Sequence, residues 1–218
     1  MIVLMSLLTL AVTATVQAQI QTDPEKRAAE IQQQRDRATK WVNKLELNDP
    51  AKEGRVIEVI TTHLLAVRDW HNTHPFTEVP EGINPRTGGK LNKLDRQMIA
   101  VSTIPSSVHT AVMDGLRADL TEPQVEQILD EYTIGKVAFT MQGYRECILD
   151  MTPEEDASIM DMLKKAREEA IDYKNNDQIS AIFKIYKTQI EMWLYQNDRN
   201  WRKIYKEWVD RINAAKQQ

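Results

Sequence analysis

LTEPQVEQILDEYTIGKVAFTMQGYREC, residues 120–147, decides the fold. Thr121 is answered three residues later by Gln124, the capping box that satisfies two orphan amides at a helix start. Gly135 stands where a left-handed residue stops one short helix, and KVAFTMQGYREC begins the next. A second box follows in MTPEEDASIM, residues 151–160, with Thr152 answered by Glu155. The resemblance between the two stretches is one of capping physics. The spacing between helix starts is irregular, which excludes a solenoid of repeats.

Working outward, TDPEK and NDPAKE open two more helices. Asp23 and Asp49 serve as caps, each followed by a proline at the first helical position. Between these marks the apolar residues keep a helical period. Ile31, Ala38, Val42 and Leu45 share one face, and Val56, Ile60, Leu64 and Val67 another. Ile182, Tyr186, Ile190 and Trp193 form a third stripe. After the NDRN turn, Trp201, Ile204, Trp208 and Ile212 form a fourth. Glu154 to about Lys174 reads as a charged helix, half facing solvent. Only seven glycines occur in 218 residues, while Glu, Lys, Gln, Ala and Met are common, which favours helix over sheet. The expectation is all-α: a single bundle-like domain over residues 19–218, with seven or eight helices and no strand.

One segment breaks the pattern. HNTHPFTEVPEGINPRTGGKLNKLDRQ, residues 71–97, holds two of the four histidines, three of the eight prolines and three of the seven glycines. Long aperiodic connections are uncommon in compact domains and usually carry function. Phe76, Val79, Ile83 and Leu91 are spaced as anchors, so an ordered loop is expected.

The first 18 residues, MIVLMSLLTLAVTATVQA, are uncharged, and they are apolar through about Val16. Val16-Gln17-Ala18 fits a cleavage site, and the run is shorter than the roughly 20 residues a membrane span needs. They read as a secretory signal cut before Gln19, leaving no membrane span in the mature chain and placing it in the periplasm or outside the cell. A net charge of −4 with no long basic run argues against nucleic acid as a partner. The single cysteine, Cys147, has no partner for a disulfide within the chain and reads as a small core residue.

The histidines, serines and charged residues in and around the 71–97 segment bear on several chemistries. His71 and His74 are three apart, but His74 precedes Pro75, which removes it from helical geometry. His63 and His74 share a face yet lie about 16 Å apart along a helix. His63 also sits on an apolar face with Ile60 and Val67, as a hydrogen-bonded core histidine does. No metal or other cofactor is expected. Ser106, Ser107 and His109 lie close in IPSSVHT without forming a nucleophile elbow. Acid–base chemistry has candidates in His71, His109, Asp95 and Glu78. Anion or sugar recognition has candidates in Trp70, His71, His74, Asn84, Arg86, Lys90, Lys93 and Arg96. From Gly82 to Gln97 four of these are cations against Asp95 alone, a local balance of +3. Arginine forks match carboxylates, and Gly88-Gly89 allows close backbone approach.

The stretch 120–147, with ISAIFKIYKTQIEMWL and RNWRKIYKEW, resembles a family of secreted helical proteins from polysaccharide-degrading gut bacteria. That family carries a domain-of-unknown-function label and a sugar-binding description, and the likeness runs from about Asp23 to the C-terminus. It carries no agreed catalytic residues to transfer. It implies an exported accessory of plant-glycan utilisation. The leading expectation is binding of an oligosaccharide, an acidic one given the loop's charge. A lyase or hydrolase using the 71–109 region and a helical interaction or chaperone-like protein stay open beside it.

Overall fold

A computed structural model describes residues 23–85 and 87–216. The expected signal, residues 1–18, and the candidate Arg86 lie outside the described residues. Among the described residues there are nine α-helices and no strand. They are α1 (Pro24–Asn43), α2 (Pro50–Thr73), α3 (Lys93–Val101), α4 (Ser106–Asp119), α5 (Glu122–Thr133), α6 (Lys136–Cys147), α7 (Pro153–Ala170), α8 (Asn176–Gln196) and α9 (Trp201–Ala215). None is long and apolar enough to cross a membrane. The chain is all-α, as the capping pattern predicts.

The predicted starts form as expected. Asp49 accepts from the amides of Ala51 and Lys52, at 3.1 and 3.0 Å. The Thr152 box closes through Glu155 Oε2, which accepts from the Thr152 amide at 2.8 Å. Gln124 Oε1 accepts from both the amide and the hydroxyl of Thr121, each at 3.0 Å. Between α5 and α6 the left-handed turn takes two residues, Ile134 (φ 56) and Gly135 (φ 65).

Two boundaries differ from the sequence reading. Helix α2 runs on to Thr73, and the additional helix α3 begins at Lys93, so the irregular stretch spans 74–92 and not 71–97. The cause of the second difference is a third capping box. Asn92 Oδ1 accepts from the Asp95 amide at 2.9 Å, and Asp95 Oδ2 accepts from the Asn92 amide at 3.0 Å. Asn opening a box with Asp is a weaker sequence signal than Thr with Gln or Glu. Ile31, assigned to the apolar face of α1, is 39% exposed, because that face meets α2 mainly through Ala38, Trp41 and Val42.

Among the described residues the core forms two clusters. Trp41, Val42, Ile60, Val112, Leu116, Ile128 and Tyr132 join α1, α2, α4 and α5. Met141, Ile159, Leu163, Ile182, Ile190 and Leu194 join α6, α7 and α8, with Trp201, Ile204 and Trp208 of α9 laid against them. Arg167, buried on α7, donates to Asp130 of α5 at 2.8 Å and ties one cluster to the other. Helices α2 and α4 pack closely at Gly115, where a Cβ would stand 2.8 Å from both methyl groups of Val59. That close approach brings His63 on α2 and His109 on α4 toward a common partner.

Candidate functional site

The predicted loop is held largely by its own residues. The Leu91 amide donates to the Gly82 carbonyl and the Asn84 amide to the Gly89 carbonyl, both at 2.8 Å. Gly88 takes the left-handed conformation this turn needs (φ 68). Lys93 Nζ and the Arg96 guanidinium lie over the Phe76 ring, 5.2 and 5.4 Å from its centroid. Arg96 Nε also donates to the Val79 carbonyl at 2.8 Å. Two of the expected ligand cations therefore fasten the loop, and exposed Lys90 pairs through its backbone with Ile83.

Trp70 and His74 stack at 3.7 Å between centroids, and His74 Nδ1 lies 2.9 Å from the Trp70 carbonyl. His71 faces Lys174, with 3.4 Å between Nδ1 and Nζ. Burial and that ammonium hold its imidazole below the ordinary histidine pKa. Asp95 belongs to the α3 cap, and Glu78 is exposed in the helical turn Phe76–Glu78. His109 lines a cleft that none of His71, Asp95 or Glu78 lines. The four acid–base candidates thus do not form one site.

His109 has other company. Its Nδ1 lies 2.9 Å from Asp172 Oδ2, and Asp172 Oδ1 lies 3.0 Å from His63 Nε2. His63 Nδ1 is 3.1 Å from the Tyr132 hydroxyl. Burial pushes the Tyr132 phenol far above its ordinary pKa, so the hydroxyl keeps its proton and donates to His63. His63 in turn donates from Nε2 to Asp172, and His109 donates from Nδ1. Burial raises the Asp172 pKa, but the hydrogen bonds of His109 and His63 outweigh it, and the carboxyl stays below its ordinary value. The hydrogen bond to Asp172 raises the His109 pKa against the opposing effect of burial. The sequence reading of His63 as a hydrogen-bonded core histidine holds. Asp172 reads in the sequence as one more charge on the helix expected to run to about Lys174, whereas that helix ends at Ala170, and a lone aspartate carries no signal of its partners.

A second surface lies between α6 and α9. Ring centroids run from Tyr144 to Trp201 (5.2 Å), Trp201 to Tyr205 (5.9 Å) and Tyr205 to Trp208 (5.4 Å). These rings wall a groove of about 350 Å³, within the usual range of small-ligand sites. Phe139, 79% exposed, also lines it, with Thr140, Gln142, Glu146 and Lys187 adding polar groups. At Gly143 a Cβ would meet nothing, so the groove is open there. The Trp208 indole N–H is buried in this wall without a protein partner. Arg211 holds α9 in place by donating to the carbonyls of Glu146 and Cys147, at 3.1 and 3.3 Å. The apolar stripe Trp201, Ile204, Trp208 was legible as packing. Tyr205, one turn beyond Trp201, was the missed sign that the stripe's flank is an aromatic wall.

The chain belongs to the family described as protein of unknown function (DUF3826), whose sequence profile matches residues 30–214. No curated protein matches it.

Proposed function

We propose that this member of the DUF3826 family is an exported accessory of plant-glycan utilisation that binds an oligosaccharide along the groove between α6 and α9. The carrying observation is the row Tyr144–Trp201–Tyr205–Trp208, faced by exposed Phe139. Sugar rings present polarised C–H groups on their flat faces, and these are attracted to the negative faces of aromatic rings. The edges of the same rings carry hydroxyls. Gln142, Glu146 and Lys187 supply partners for them around the groove.

Export rests on the leader-like residues 1–18. A preference for acidic sugars has less support than the loop's charge suggested. Lys93 and Arg96 are engaged with Phe76 and Val79, and the groove offers one cation, Lys187, against one carboxylate, Glu146.

The test is titration of the chain from Gln19 to Gln218 with neutral and pectic plant oligosaccharides, by calorimetry and tryptophan fluorescence. Saturable binding is expected, weakened at least tenfold in the Phe139→Ala, Tyr205→Ala double variant and unchanged in Lys90→Ala. Both aromatic positions are well exposed, so the double variant keeps its fold. Binding indifferent to the pair would reject the groove as the site.

A further inference from the structure

We propose that the cleft between α4, α7 and α8 is a hydrolytic site for glycosidic bonds, with His109 as proton donor and Glu169 as base. The proposal rests on the glycan reading above but concerns a different surface. The cleft has a volume of about 690 Å³ and is lined by His109, Glu168, Glu169, Asp172, Tyr173 and Tyr186, among others.

Two of these side chains are aimed by partners of their own. His109 is fixed at Nδ1 by Asp172, and Asp172 is fixed in turn by His63 and Tyr132. His109 Nε2 lines the cleft in a long ion pair with Glu168, 3.6 Å away, a contact that favours the charged imidazolium and that an incoming leaving oxygen would replace. Glu169 receives the Tyr186 hydroxyl at 2.9 Å on Oε2, which leaves Oε1 for another partner. A histidine backed by a half-buried aspartate, and a carboxylate backed by a tyrosine, are more than α4, α7 and α8 need in order to pack. Such backing keeps a proton donor and a proton acceptor in fixed orientation.

The step balances within these groups. Glu169 takes a proton from water as the water oxygen bonds to the anomeric carbon. The glycosidic C–O bond breaks, and the leaving oxygen takes the proton from His109 Nε2. One proton then returns from Glu169 to His109 through solvent, and both groups are reset. Asp172, His63 and Tyr186 are positioning residues, since each acts through a neighbour.

The experiment incubates the Gln19–Gln218 chain with the same neutral and pectic oligosaccharides, measuring new reducing ends alongside binding. Turnover is expected in the native chain. It should fall at least a hundredfold in His109→Asn and in Glu169→Gln, with groove binding unchanged. Asp172→Asn should keep partial activity and shift the acid-donor limb of the pH–rate profile to lower pH, which a merely structural role would not do. Binding without turnover overturns the hydrolytic site and leaves the groove reading standing. Neither binding nor turnover overturns both. Turnover that survives His109→Asn in a folded variant removes His109 as the donor.

Discussion

His109 Nδ1 and Asp172 Oδ2 lie 2.9 Å apart although 63 residues separate them, and His63 grips the other oxygen of the same carboxylate. Helices α2 and α4 and the turn after α7 are thus joined through one side chain. The His109 pKa is raised in the folded state, so its contribution is complete below the ordinary histidine value and is lost as pH rises through the folded one. The Asp172 pKa is lowered, so its contribution is complete above the ordinary 3.8 and is lost as pH falls through the folded value. The two overlap between roughly pH 4 and pH 6.5. Thermal unfolding scans are expected to show a stability maximum in that window, flattened in His109→Asn. In Asp172→Asn the His109 ring should titrate at lower pH by NMR. A His109 titration unmoved by this change would mean the pair does not form in solution.

Gly115 sets the distance between α2 and α4, because a Cβ there would press on Val59 at 2.8 Å. Valine in a helix has essentially one side-chain rotamer, so its methyl groups cannot swing aside. Gly115→Ala should cost about 1–3 kcal/mol in urea unfolding. Adding Val59→Ala should recover part of that loss, giving a favourable coupling in the double-mutant cycle. Simple additivity would show that the helices part without strain.

Ile134 is a β-branched residue held at φ 56, with 70% of its surface exposed. The left-handed conformation costs such a residue about 1–2 kcal/mol, and its side chain buries little in return. Ile134→Gly is therefore expected to stabilise the chain by about 1 kcal/mol, a rise of roughly 2–4 °C in melting temperature. A fall in melting temperature would mean that Ile134 makes contacts worth more than its backbone strain.

Cys147 is 6% exposed, and burial is the main cause that pushes its thiol pKa up. The native chain should react slowly with a thiol reagent at pH 8 and rapidly once unfolded in guanidinium. Rapid labelling of the native state would place the thiol in an accessible position.

Arg96 fastens the loop through the Val79 carbonyl and the Phe76 ring. Arg96→Ala should lower stability by about 1 kcal/mol and speed hydrogen exchange at the Leu91 amide, which closes the loop onto Gly82. Oligosaccharide affinity should stay as it was. A selective loss of affinity with unchanged exchange would return the binding site to the loop.

The sequence by itself determined that the chain is helical and where most of its helices begin, α3 excepted. Thr121 with Gln124, Thr152 with Glu155, Asp23 with Pro24 and Asp49 with Pro50 act within one helical turn, so their physics is complete in four or five residues. The same locality made Cys147 and His63 legible as core residues, since each sits within an apolar helical period. The loop is legible as an exception, but its composition does not show that Phe76 and Val79 engage two of its cations. Only the tertiary structure decided the candidate sites. Asp172 gains its meaning from His63 and His109, which lie 109 and 63 residues away, and Tyr205 from a groove that α6 completes. Caps and periodicity are properties of adjacent residues, whereas these two sites are made by helix packing, where Gly115 and the Arg167–Asp130 bond fix which distant side chains meet.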